Sequence, residues 1–187
     1  MIPPLISIRL RPIAWPGALV AAVISACALG YPAAAADVYL EPEAFLTEAF
    51  PEAPPKAEVL WITKEREETA RRILGHAFGA LRQRYWRNGD QTAWILDEIG
   101  KEHPITTGLL VEKRAIKRIR VLVYRESRGW EVRYPFFTNQ FDGATLTSDL
   151  ELDRHIDGIS GATLSVRALT RLARLALYFH GEATGAP

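Results

Sequence analysis

From Leu164 to His180 the apolar residues fall at Leu164, Ala168, Leu169, Leu172, Leu175, Ala176 and Phe179, the spacing of one face of an α-helix. Arg167, Arg171 and Arg174 lie off that face, and Gly181 is expected to stop the helix. A helix with one apolar face draws its stability from the surface it packs on. The middle of the chain offers that surface as short strand candidates. These are Arg84–Gly89 with an Asn88-Gly89-Asp90 turn, Thr92–Ile99, Ile105–Val111, a Glu112-Lys113-Arg114 turn, and Ile116–Tyr124. In the last of these, strict alternation places Ile116, Arg118, Arg120, Leu122 and Tyr124 on one face and Lys117, Ile119, Val121 and Val123 on the other. Trp130–Tyr134 reads as a further strand stretch, and Phe136–Gly143 as irregular or a short helix. The expected fold class is α+β: an antiparallel sheet with packed helices and a site at the N-terminus of the last helix.

Upstream, Asp37–Pro55 reads as a lead-in, with a helix from Pro42 to Phe50 closed by Pro51, Pro54 and Pro55. Ala57–Ile62 is a strand candidate. Thr63 is placed to cap a helix whose apolar face is Ala70, Ile73, Leu74 and Ala77. The organisation expected is 1–36 as a secretory signal, 37–100 as an N-terminal extension packed on the core, and 101–181 as the main domain. In the signal, Arg9 and Arg11 precede an uncharged apolar run from Ile13 to Leu29. Gly30-Tyr31-Pro32 then breaks the run, and Ala34-Ala35-Ala36 offers cleavage before Asp37. Cys27 is the single cysteine, so cleavage after Ala36 leaves no thiol. Cleavage before Cys27, after Ile24-Ser25-Ala26, would make a lipoprotein instead, and an uncleaved anchor is a further alternative. Removing Arg9 and Arg11 leaves 21 basic against 22 acidic residues, with no basic stripe, so nucleic acid is not expected as a partner. The dense run Lys113–Arg118 reads as a solvated turn and strand edge.

Immediately before the last helix stands Asp157-Gly158-Ile159-Ser160-Gly161-Ala162-Thr163-Leu164-Ser165. A glycine-rich turn feeding a helix start gathers unpaired backbone N–H groups and the positive end of the helix dipole, with three hydroxyls in reach. A phosphate suits such a place. The plain alternative is that Ser160, Thr163 or Ser165 serve only as N-caps and the glycines only as a turn. A P-loop is excluded because its lysine is missing.

Asp157 to Thr163 resembles the flavinylation signature of the FMN-binding domain family: Asp, two residues, Ser or Thr, Gly, Ala, then Thr or Ser. That family includes the covalent-FMN subunits of the sodium-pumping NADH:quinone oxidoreductase and of the Rnf complex, plus standalone exported domains. The resemblance implies FMN held by a phosphoester on Thr163, placed there from FAD by a magnesium-dependent flavin transferase. It extends over Ile105–Phe179, and Glu126-Ser127-Arg128-Gly129 stands where the family often has Glu-Thr-Pro-Gly. The candidate cofactor residues are Asp157, Gly158, Ser160, Gly161, Ala162, Thr163, Leu164, Ser165 and Glu126. No separate catalytic residue or metal ligand is expected, since His76, His103, His155 and His180 have no ligand spacing.

Arg128 and Arg133 are weighed as phosphate or ring contacts against plain surface charge. Phe136, Phe137 and Phe141 are weighed as ring-stacking groups against core, and His155 as a tuning group against a polar loop residue. The function expected is an electron carrier between a membrane redox partner and a periplasmic acceptor. A flavin-dependent reductase acting on a small substrate, and a module that never receives flavin, are the alternatives.

Overall fold

A computed structural model describes residues 36–185; the expected signal segment, through Ala35, lies outside them. Six antiparallel strands form one sheet, in the order β1-β6-β5-β4-β3-β2. They are β1 (Asp37–Val38), β2 (Ala57–Trp61), β3 (Arg82–Asn88), β4 (Gln91–Ile99), β5 (Pro104–Glu112) and β6 (Ala115–Tyr124). The helices are α1 (Pro42–Ala49), α2 (Lys64–Leu74), the short α3 (Pro135–Thr138) and α4 (Thr163–Thr184). The α+β expectation holds, with α4 and α2 on one face of the sheet and α1 on the other.

Local chemistry sets most boundaries. Pro42 begins α1 where its missing N–H costs nothing. Thr63 caps α2 by accepting from the Arg66 N–H at 3.4 Å, and Gly75 ends it at φ 83°. The β5–β6 hairpin turns on Lys113 and Arg114, at φ 50° and 67°. Two residues with positive φ match the right-handed twist of the strands they join. Most of the dense basic run is therefore hairpin turn and strand end.

β4 ends at Ile99 and turns through Gly100 to His103 into β5, and the two strands pair from Gln91↔Glu112 to Ile99↔Pro104. β5 is buried on both faces. Gly108 at its centre receives the ring of Phe45 from α1; a Cβ there would lie 2.8 Å from that ring. On the α4 side, Trp94 is fully buried, stacked on Tyr85 at 4.8 Å and packed against Phe179 at 5.6 Å. Its indole N–H donates to Thr92 Oγ1 at 2.8 Å, and that oxygen is 2.8 Å from His180 Nδ1. A buried polar chain is thereby satisfied rather than orphaned.

Three expectations are corrected. Strict alternation fails in β6, where register shifts opposite Thr106/Thr107 and Leu110/Val111 each insert a residue. Ile116, Ile119, Val121 and Tyr124 consequently share the α4 face, while Leu122 and Val123 face α1. Trp130–Arg133 is a turn of 3-10 helix rather than a strand, because β1 already occupies the edge of β6 through Asp37↔Tyr124 and Val38↔Val123. Finally, α4 passes through Gly181 and ends at Gly185, whose φ is 64°. Glycine only weakens a helix interior, and a left-handed residue is what closes one.

Candidate functional site

The turn before α4 is tied down by side chains from both directions. Asp153 accepts from the Thr145 N–H and hydroxyl at 3.1 and 3.0 Å. Arg154 donates to the carbonyls of Asp142 and Gly143 at 2.8 and 2.9 Å, and the Asp157 N–H reaches Gln140 Oε1 at 2.7 Å. Ile156 is buried, which anchors the chain just before the exposed motif. Gly161 then takes φ 82° with open space around it, so the backbone, not a close neighbour, requires glycine there. Gly158 likewise faces open space.

Ala162, buried, occupies the N-cap of α4, and no side chain caps that helix. The N-cap reading of Ser160, Thr163 and Ser165 is therefore corrected. Alanine at this position forgoes about 1 kcal/mol of capping energy, and among the described residues no side-chain cap hydrogen bond serves the helix start at Thr163. The fold also separates the three hydroxyls. Ser165 is buried, 2.9 Å from the Tyr124 hydroxyl. Ser160 is exposed on the turn, and Thr163 is exposed as the first residue of the helix.

A cleft of about 610 Å³ opens beside Thr163, with Lys101, Glu126, Ser127 and Arg128 on its opposite wall. Its volume suits a nucleotide-sized ligand. Two residues that sequence reasoning did not single out shape it. The Tyr124 hydroxyl donates to the Arg128 carbonyl at 2.5 Å and meets Ser165, joining the end of β6 to the first turn of α4. Burial pushes the phenol up, so it remains a donor. Gly129, at φ 86°, packs so closely that a Cβ would lie 2.9 Å from both Ser165 Oγ and the Tyr124 hydroxyl, and 3.1 Å from Ala162 Cβ. Its signal was present in the Glu126-to-Gly129 spacing, but only the tertiary contact explains it.

Glu126 has a defined task. One of its carboxylate oxygens accepts the N–H groups of Lys101, Glu102 and His103 at 2.5, 2.7 and 2.9 Å, clamping the β4–β5 turn. Burial works to raise its pKa, but these bonds outweigh it and the net shift is downward. Asp157 behaves differently: its carboxylate is 86% exposed, with His155, equally open, 3.8 Å away.

The remaining candidates separate cleanly. Phe137 and Phe141 are fully buried and pack edge to face at 5.5 Å, whereas Phe136 is exposed. Arg133 sits 4.0 Å over the Tyr39 ring and 4.9 Å over that of Tyr134, away from Thr163's cleft.

The donors present suit a phosphate ester: an exposed hydroxyl, an uncapped helix start and two basic side chains, Lys101 and Arg128, on the facing wall. No curated protein and no solved structure matches the chain. Residues 100–178 match the model of the FMN-binding domain. This stretch contains the α4 start, the cleft and the β5–β6 hairpin, and through it the chain is similar to the FMN-binding domain family, which supports a flavin-binding protein.

Proposed function

We propose that Thr163 carries FMN through a phosphoester bond and that the protein, exported from the cytoplasm, passes electrons between a membrane redox partner and an acceptor outside it. The observation that carries this reading is the exposed Thr163 hydroxyl at an uncapped helix start inside the flavinylation motif. In the maturation step, Thr163 Oγ bonds to the phosphorus on the FMN side of FAD, the pyrophosphate bond breaks, and AMP and the hydroxyl proton leave. The exposed Asp157 carboxylate is available to the transferase and its magnesium. Once the ester forms, Lys101, Arg128 and the first N–H groups of α4 neutralise the phosphate. Tyr124 and Gly129 hold the cleft wall against the helix. Bound flavin exchanges electrons singly or in pairs, and can therefore join two-electron and one-electron partners. A covalent tether keeps the cofactor on a protein outside the cytoplasm, where a dissociated nucleotide is lost by diffusion.

Co-expression with a flavin transferase tests the reading. Intact mass should show one FMN added with loss of water, and peptide mapping should place it on Thr163. Thr163→Ser should accept it and Thr163→Ala should give a folded, colourless protein. An unmodified Thr163 peptide, or a yellow adduct in the alanine variant that survives denaturation, refutes the assignment. The same mass reports where the N-terminal segment is cut.

A further inference from the structure

Glu98, near the end of β4, is a carboxylate at the floor of the sheet with only 2% of its side chain exposed. Two side chains hold it: His76 Nε2 lies 3.0 and 3.1 Å from its two oxygens, and the Arg171 guanidinium Nη1 is 3.1 Å from one of them. On its other side, His76 Nδ1 is 2.9 Å from the Ala77 carbonyl. Both ring nitrogens thus face atoms that only accept, and an imidazole satisfies both only with a proton on each. The bond to Ala77 is the largest influence raising the His76 pKa; burial opposes it and Glu98 adds to it.

This cluster lines a cleft of about 300 Å³ with Ile99, Gly100, Leu164 and Arg167. Leu164 also borders the cleft beside Thr163, so the two adjoin. Ile99 and Leu164 are 54% and 38% exposed, which leaves apolar surface open in this cleft. Arg167 and Arg171 lie one and two turns along α4 from Thr163, roughly 6 and 12 Å at a helical rise. Glu98 from β4 and Arg171 from α4 are the charges that act on His76; Arg167 lines the same cleft, and Glu126 borders Gly100 at its rim.

Resting on the reading of Thr163 as the flavin carrier, we infer that the flavin ring occupies the slot between Ile99 and Leu164 and that the His76–Glu98–Arg171 cluster couples its reduction to proton uptake. Two electrons come from the reduced partner and one proton goes to the ring, which gains one negative charge. At a pH where His76 is neutral in the oxidised protein, a second proton passes from solvent to His76 and the new imidazolium offsets that charge. Reduction then takes up two protons per electron pair instead of one.

The test uses the full chain co-expressed with a flavin transferase. Mass first confirms the adduct on Thr163, and the midpoint potential is then followed against pH for wild type, His76→Gln and Arg167→Gln. Over the pH range in which the reduced ring is anionic, wild type should show a window falling at about 59 mV per pH unit and His76→Gln about 30 mV, since one proton against two electrons corresponds to about 30 mV per tenfold change. Arg167→Gln should lower the potential without changing the slope. Independently, NMR of the His76 ring should show its titration moving upward on reduction, a readout that stands even if His76→Gln does not fold. Equal slopes in wild type and His76→Gln, or a His76 titration indifferent to reduction, overturn the inference. An unmodified Thr163 overturns the reading beneath it as well, so the two failures are distinct.

Discussion

Gly129 and Gly161 have nearly the same backbone, at φ 86° and 82°, but opposite surroundings. Replacing each by alanine therefore separates backbone strain from packing. Alanine in the left-handed region costs about 1–2 kcal/mol, and the stiffer unfolded chain returns about 0.4–1 kcal/mol. Gly161→Ala, with nothing within 4 Å of its Cβ, should lose roughly 1 kcal/mol. Gly129→Ala carries the same backbone cost and also drives a methyl to 2.9 Å from Ser165 Oγ and the Tyr124 hydroxyl. Overpacking of this kind costs about 1–3 kcal/mol more. The total of about 2–4 kcal/mol corresponds to a fall in Tm of roughly 5–15 °C for a domain of this size, against about 2–4 °C for Gly161→Ala. Urea and thermal unfolding of the unflavinylated variants measure both. Flavinylation of folded Gly129→Ala should also slow, because the wall moves away from the α4 start. Equal destabilisation of the two variants would refute the argument that contact, rather than φ alone, fixes Gly129.

Other outcomes follow from the charges and turns. Glu126→Gln should cost about 1 kcal/mol near neutral pH, a figure discounted because Glu126 is partly exposed. The folded pKa of Glu126 lies below 4.5, so its contribution is present above that value and vanishes as pH falls through the folded pKa. Urea midpoints of wild type and variant should therefore converge in acid; a constant gap contradicts the clamp. His180 is pushed below 6.5 by burial first and then by Arg87. The unfolded chain thus takes up a proton the folded one resists, and stability should fall as pH drops below about 6.5. His180→Gln should flatten that part of the profile, and an unaltered profile counts against the burial argument. Lys113→Asn, at φ 50°, should raise stability by about 0.5 kcal/mol, since asparagine tolerates the left-handed region better, as thermal unfolding will show.

What the sequence determined by itself was whatever depends on neighbours along the chain. The 3.6-residue spacing predicted α4, the Thr63 cap and Pro42 predicted α2 and α1, and Asn88-Gly89 and Lys113-Arg114 marked hairpin turns. The flavinylation motif was equally legible, because its residues are contiguous. Tertiary structure decided what depends on partners far along the chain. Bulges in β6 moved Ile119, Val121 and Tyr124 onto one face, and β1 took the edge beside β6, leaving Trp130–Arg133 as a turn of 3-10 helix rather than a strand. It buried Ser165 and left Thr163 open, a choice between hydroxyls two residues apart that depends on Tyr124 and Gly129 from another element. Glu98, His76 and Arg171 meet only because the sheet, the end of α2 and α4 converge there. Local propensity and motif spacing are written in consecutive residues; burial and electrostatic environment exist only once distant segments pack.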